Sequence, residues 1–460
     1  MRPIWLCTLA LLAIVGRPAA ADLPSSADVA ARADAYLRAQ AEAGFFSGAV
    51  LIARGGVPVF AKGYGYANAE WEIPNSTDTR FRIASITKTF TAAMVLLLHE
   101  TQRLDVGASV CTYLDPCPDA WRPVTVHHLL TNTAGVPNYT DVPDFLDRAR
   151  TPRPPAEILA LVRDRPLEFA PGSRYRYSNS GYLMLGLILE RAGGAPYDRL
   201  LDSLILGPLG LRDTGFDRPA PVLPRRASGY RPDGLALAPA DHLEMSWVYA
   251  AGGMYSTVGD LLKWEQALSR GDLLPRRVVD RMWAAGVGPY GYGWQVLAPS
   301  AQTLQRPLVL HAGGLNGFAT DLLRYPGEDL TVVILANLGT VPLPRISRDL
   351  SAIALGEAYT PPVVRRPMVV DPAIYDTYAG VYQLTPQVSV SVAREGDRLI
   401  VQATGQPRDV AIPESETRFF SRLVDGQITF AKDAGGRVTQ LVIHQGGKDL
   451  VASRVPHPAP

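Results

Sequence analysis

The sequence predicts a mixed α/β (α+β) architecture: an antiparallel sheet flanked by helices and carrying a helical insertion, followed by a small antiparallel β-domain. Three observations predict it. Strand-like apolar runs lie at both ends of a long helical middle. A proline-rich break at Pro361-Pro362, Pro367 and Asp371-Pro372 separates two patterns. Beyond the break the chain is a series of short hairpins without a good helix.

Taken in order, residues 1–21 read as a secretory signal peptide. Arg2 precedes the apolar run Ile4–Val15, and Ala19-Ala20-Ala21 offers a small-residue cleavage site. The run is short for a bilayer span, so no stable membrane anchor is expected after cleavage. Residues 26–43 form an amphipathic helix with Val29, Ala33, Tyr36 and Leu37 at helical spacing. Gly48–Ala53 and Val57–Lys62 read as a hairpin turning at Arg54-Gly55-Gly56. Ser85 opens a helix whose apolar stripe is Phe90, Met94, Leu97 and Leu98. Leu183–Arg191 is a buried helix within the middle region.

Strands return at Leu308–Leu310, Phe318–Tyr325 and Leu330–Ala336, the last two joined by Pro326-Gly327-Glu328-Asp329. An antiparallel sheet built from both chain ends fits this order. After the break, Val388–Val392 with Leu399–Gln402, Arg418–Leu423 with Gln427–Ala431, and Val438–His444 with Asp449–Arg454 form hairpins. The expected domains are therefore a signal peptide (1–21), an α/β domain (22–357), a linker (358–372) and a β-domain (373–460).

The chain's formal net charge is +1, and loss of Arg2 and Arg17 with residues 1–21 makes it −1. Nothing in that balance points to nucleic acid as a partner. An exported chain meets an oxidising compartment, periplasmic or extracellular, and its mature part holds Cys111 and Cys117. Asp115-Pro116 turns the chain between them, so a local disulfide is the preferred reading and two free buried thiols the other. Seven histidines without H-x-H or H-E-x-x-H spacing argue against a metal hydrolase. His127 and His128 are adjacent and point different ways on a helix, which suits satisfied or surface side chains.

Three segments carry chemistry. In Ser85-Ile86-Thr87-Lys88, a helix starting at the serine puts the lysine one turn later on the same face. A lysine held neutral can take the serine's proton, and the helix start favours a developing oxyanion. Tyr177-Ser178-Asn179 offers a phenolic proton carrier and an amide. His311-Ala312-Gly313-Gly314 follows an apolar strand. Its histidine can join proton transfer, and its glycines let backbone N–H groups approach a substrate.

Each segment alone is weak, but the set and its order resemble the S-x-x-K, S-D-N and K-T-G motifs of serine β-lactamases and penicillin-binding proteins. The Y-x-N and H-x-G forms are similar to those of class C β-lactamases, D,D-carboxypeptidases, D-aminopeptidases and β-lactamase-like carboxylesterases. Phe81–Ala84, Thr125–Gly135 and Phe169–Gly186 resemble flanking segments of the family. The resemblance spans about residues 45–340, and the tail resembles a lipocalin-like β-domain less specifically.

The resemblance implies a serine hydrolase that cleaves an ester or amide, whether a D-aminoacyl peptide, a β-lactam or a carboxylic ester, through an acyl-enzyme on Ser85. Lys88 and Tyr177 share the proton work, with the choice of base open. Asn179 orients the substrate, Gly313 lies along it, and the N–H groups of Ser85 and Gly314 form an oxyanion hole. His311 stands where many relatives carry lysine. No metal or organic cofactor is implied. The expected partner is a small-molecule or peptide substrate, cell-wall fragments included; the alternative is a non-catalytic penicillin- or cell-wall-peptide-binding protein on the same fold.

Two departures bear on the substrate. Ala312 stands where relatives acting on carboxylate-bearing substrates carry a hydroxyl, and losing a donor to a charged group costs about 1.5–3 kcal/mol. Esters or D-aminoacyl amides are therefore the expected substrates. Asn132 and Ala134 replace a histidine and a serine of the family pattern and read as structural. Asp260, Trp264 and Trp294 are expected to border the cleft.

Overall fold

The computed structural model describes residues 23–220 and 222–455. The signal peptide of the sequence reading lies outside them. Among the described residues, no helix is long and apolar enough to cross a membrane.

Helix α1 (Ser26–Glu42) is capped by the Ser25 hydroxyl, which accepts from the Asp28 N–H at 3.1 Å. It leads into β1 (Gly48–Arg54) and β2 (Val57–Tyr64). After the helical region come β3 (Gln295–Leu297), β4 (Leu308–Leu315), β5 (Phe318–Tyr325) and β6 (Leu330–Ala336). The six strands form one antiparallel sheet in the order β3-β4-β5-β6-β1-β2. The early and late strands of the α/β domain therefore meet at the β1–β6 pair, where Gly48 stands opposite Ala336 and Arg54 opposite Leu330.

Alternation assigns each face of the sheet. On β1, Ala49, Leu51 and Ala53 join the larger core, while Val50 and Ile52 join the smaller one. The smaller core is covered by α1 and by the helix Leu343–Leu355. The larger core lies beneath the helical insertion. There α2 (Thr87–Glu100), α3 (Asn179–Gly193) and α4 (Val258–Arg270) bury most of their apolar surface. Helix α2 is buried nearly all round rather than along one stripe, and Leu97 of the expected stripe is only half-buried.

Ser85 does not begin this α-helix directly. It sits in a single 3₁₀ turn, Ala84–Ile86, and the α-helix starts at Thr87. Ala84 takes a left-handed φ of 48°, which a residue with a Cβ rarely adopts and which sets the turn off from the strand before it.

The C-terminal part is a closed antiparallel barrel of eight strands, from Gly380–Thr385 to Lys448–Arg454. The hairpins read from sequence supply six of them. Gly380–Thr385 and Asp409–Pro413 close the ring, and the short helix Tyr375–Tyr378 precedes it where no helix was expected. The barrel touches the α/β domain through an Arg398–Asp233 ion pair at 2.7 Å and an Arg422 hydrogen bond to the Leu235 carbonyl at 2.7 Å. Asp425 adds ion pairs with Arg345 and Arg365.

Cys111 and Cys117 lie with their Cα atoms 5.3 Å apart, inside bridging range.

Candidate active site

Three structural pieces converge on Ser85. The serine turn precedes α2. The Tyr177-Ser178-Asn179 segment enters α3, with Asn179 as its first residue. Strand β4 brings the His311–Gly314 segment against the turn. Close approach of β4 requires Gly313: a Cβ there would stand 2.5 Å from Thr320 Oγ1, 2.6 Å from the Ile83 carbonyl and 2.9 Å from the Ala84 Cβ. Thr320 fastens the same junction by donating to the Ile83 carbonyl at 3.0 Å.

Lys88 is fully buried. Its Nζ lies 3.0 Å from Ser85 Oγ, 2.9 Å from Asn179 Oδ1 and 2.7 Å from the Ala251 carbonyl oxygen. Two of these neighbours are carbonyls, which only accept; the third is a hydroxyl, which can donate. A neutral amine, with two N–H donors and one lone pair, satisfies all three at once. Burial drives the Lys88 ammonium well below its ordinary pKa. Among the described residues no carboxylate pairs with it to oppose that shift. The rings of Tyr177 and Tyr182 flank it, their centroids 4.9 and 5.5 Å from Nζ.

Burial raises the Tyr177 phenol's pKa, with nearby Ser85 pulling less strongly the other way, so the phenol stays protonated at neutral pH. Its segment is held from outside. Asn132 accepts the Ser178 N–H at 3.0 Å, and Asn138 accepts the Asn179 N–H at 3.0 Å. Asn132 does so from a left-handed conformation, φ 56°, which asparagine tolerates better than most residues.

His311 is brought to the same region but is buried and engaged. Its Nδ1 lies 2.7 Å from the Ala312 carbonyl, which only accepts, so Nδ1 carries the proton. Nε2 then accepts from the Tyr290 hydroxyl at 2.8 Å. Burial first, then the nearby Lys88, push the imidazole pKa down to about 3, against the opposing pull of the Ala312 carbonyl. The ring is a neutral, fixed element behind Tyr177, whose ring centroid is 6.3 Å away.

Sequence reasoning missed Tyr290. It is buried and packs edge-on to both Tyr177 and His311. The Gly288-Pro289-Tyr290-Gly291-Tyr292-Gly293-Trp294 run, rich in glycine and aromatics before a strand, was its visible signal. Conversely, Asp260, Trp264 and Trp294 do not border the cleft. Asp260 accepts the Asp213 N–H and the Thr214 hydroxyl, Trp264 stacks on Phe90, and all three are buried. His127 and His128 are satisfied structural side chains: His127 meets the Tyr292 hydroxyl at 2.8 Å, and His128 Nδ1 accepts the Thr125 N–H in a capping box.

A cavity of about 180 Å³ opens over Ser85. Asn179 and Gly314 line it beside the serine, with Phe145, Leu146, Leu243 and Leu315 forming an apolar wall. No side chain in its lining carries a charge. Gly314 is exposed there, and a Cβ at that position would meet nothing within 4 Å.

A serine paired with a buried lysine and a neutral tyrosine, packed against strand β4 of an antiparallel sheet, defines a serine hydrolase of the β-lactamase fold. The family described as Beta-lactamase matches residues 33–355, and the chain belongs to it. A domain of unknown function, DUF3471, matches residues 365–454. The chain is 29% identical to penicillin-binding protein 4* of Bacillus subtilis over 442 residues, covering 89% of this chain and 95% of that protein. It is 31% identical to esterase EstB of Burkholderia gladioli over 346 residues, covering 62% of this chain and 84% of the esterase. The octameric penicillin-binding protein homologue from Pyrococcus abyssi superimposes with a TM-score of 0.63 at 25% identity, covering 92% of this chain and 99% of that one.

Proposed function

We propose that the chain hydrolyses uncharged carboxylic esters through an acyl-enzyme on Ser85, with neutral amides as slower substrates. The observation that carries this reading is the Lys88 amine, 3.0 Å from Ser85 Oγ and bound on its other sides by two carbonyls.

Lys88 Nζ takes the Ser85 proton as Oγ bonds to the substrate carbonyl carbon. Lys88 is the base in this reading because Tyr177, held protonated, has a proton to give rather than a site to take one. The tetrahedral oxyanion lies against the N–H groups of Ser85 and Gly314. Tyr177 then passes a proton to the leaving oxygen and recovers one from Lys88, and the C–O bond breaks. Water attacks the acyl-enzyme by the same steps in reverse. Asn179 holds Lys88 through Oδ1, while its Nδ2 donates to the hydroxyl of Thr140, another residue of the cavity lining. His311 acts as a positioning residue through Tyr290.

The substrate class rests on the cavity. Its lining has no cation for a carboxylate and no anion for a free amine, and Ala312 supplies no hydroxyl. The apolar wall suits an alkyl or aryl acyl group. The similarity to an esterase supports the same class.

The test is hydrolysis of a p-nitrophenyl ester by the chain lacking residues 1–21 and by Ser85→Ala, beside a penicillin and a D-alanyl anilide. Ester turnover lost in the variant and exceeding turnover of the other two supports the reading. Equal turnover in both proteins would remove Ser85 as nucleophile. Faster penicillin hydrolysis would overturn the substrate class.

The chain is also proposed to be exported, periplasmic or secreted. The pattern of residues 1–21 and the facing pair Cys111 and Cys117, read as a disulfide, support this. Mass spectrometry of the protein from the culture medium and periplasm checks both: a mature N-terminus near Asp22, and two hydrogens fewer than the dithiol.

A further inference from the structure

The barrel is packed at one end and hollow at the other. At the packed end Tyr378 stacks on Phe430 with centroids 4.1 Å apart, and Tyr375, Tyr382 and Phe419 close around them. The hollow end holds a cavity of about 490 Å³. That lies within the range of roughly 300–1,000 Å³ found for small-molecule sites. Val390, Ala411, Phe419, Ile428 and Ile443 give it apolar walls.

One ionisable group, Asp409, belongs to the lining. The Ser421 hydroxyl donates to it. No cation of the lining faces it, and burial raises its pKa. A carboxyl group on an apolar wall without a counter-charge is a costly arrangement that a bound cation or N–H donor relieves. The rim near it is fixed. Asp425, in the Ser421–Gly426 segment, pairs with Arg345 and Arg365, so that side of the mouth is anchored to the α/β domain.

We propose that the barrel is a second binding site, separate from Ser85, for a small amphiphile: an apolar body seated in the cavity with one ammonium group on Asp409. The site is independent of catalysis, so its fate and that of the hydrolase reading are tested apart.

The experiment is calorimetric titration of the full chain with n-octylammonium, 1-octanol and octanoate at neutral pH, all below micelle-forming concentrations. Saturable binding of one octylammonium, at least tenfold tighter than octanoate, is expected. Asp409→Asn should weaken octylammonium at least tenfold and change 1-octanol binding less than twofold. Ala411→Phe, which fills the cavity, should remove both, and Ser85→Ala should remove neither. The nearly isosteric Asp409→Asn decides the matter if Ala411→Phe does not fold. Absence of binding, octanoate binding as well as octylammonium, an unchanged affinity in Asp409→Asn, or binding that survives in a folded Ala411→Phe overturns the proposal.

Discussion

Lys88 Nζ lies 2.9 Å from Asn179 Oδ1, so the first residue of one helix holds the amine that serves the serine before another. The amine meets carbonyls on two sides and a hydroxyl on the third. Charging it would leave no acceptor of full charge nearby, which is why burial alone depresses its pKa. The proposed mechanism needs the deprotonated form, which burial favours well below the ordinary lysine pKa of about 10.4. The acid limb of kcat/KM is expected at that lowered value. Lys88→Arg, which stays charged, should lose about 10²–10⁴-fold in rate at every pH, in line with loss of a general base. A wild-type limb near the free-lysine value would contradict the assignment.

Gly313 and Gly314 are adjacent yet should respond oppositely to alanine. A methyl at 313 collides with Thr320 Oγ1 and the Ile83 carbonyl, so β4 must back away from the serine turn. Gly313→Ala is expected to cost about 1–3 kcal/mol of stability. A displacement near 1 Å would cost about 10²-fold in kcat/KM. A methyl at 314 meets open space, so Gly314→Ala should stay within about 0.5 kcal/mol of wild type. Denaturant melts of the two variants, with ester kinetics alongside, check the contrast.

Asn132 holds the tyrosine motif from outside the lining of the Ser85 cavity. Its side chain accepts the Ser178 N–H from a left-handed backbone conformation. Asn132→Ala keeps a Cβ in that conformation without the polar side chain that makes asparagine tolerate it, at a cost of about 1–2 kcal/mol, and frees the Ser178 N–H. Asn132→Gly keeps the conformation and loses only the hydrogen bond. Thermal melts should therefore rank wild type above Gly above Ala. The two variants should lose similar activity, because both free the Tyr177–Asn179 segment. Full activity in the glycine variant would show that the bond is not needed for positioning.

What the sequence disclosed follows from which interactions are local. Strands β1, β5 and β6 were legible because their apolar residues run between turn signals. The Ser85–Lys88 relation was legible because helical spacing alone brings i and i+3 together. The Tyr290–His311 bond was not, since it joins a loop to a strand only after the sheet has formed. Trp264 misled for the same reason: a tryptophan near a cleft-forming segment can equally stack on Phe90 in the core, and here it does. In the barrel, Gly380–Thr385 and Asp409–Pro413 were missed because each becomes a strand only through its neighbours in the closed ring.

Asp321 gives the stability a pH dependence of unusual sign. It is buried on β5, accepts the Ser347 hydroxyl at 2.6 Å, and has a second carboxyl oxygen without a hydrogen-bond partner. Burial pushes its pKa up to about 7, with the Ser347 hydroxyl and the Leu322 N–H pulling less strongly the other way. Its unfolded value is about 3.9. The folded state therefore binds the proton more tightly than the unfolded state. Its contribution to stability is fully present below about pH 4 and is lost as the pH rises through about 7. Asp321→Asn keeps the shape and removes the titration. It should melt several degrees above wild type at pH 8, with the gap closing as the pH falls toward 4. Parallel curves for the two proteins across that range would mean that Asp321 is already ionised in the folded state at acid pH and that its burial is better compensated than these contacts indicate.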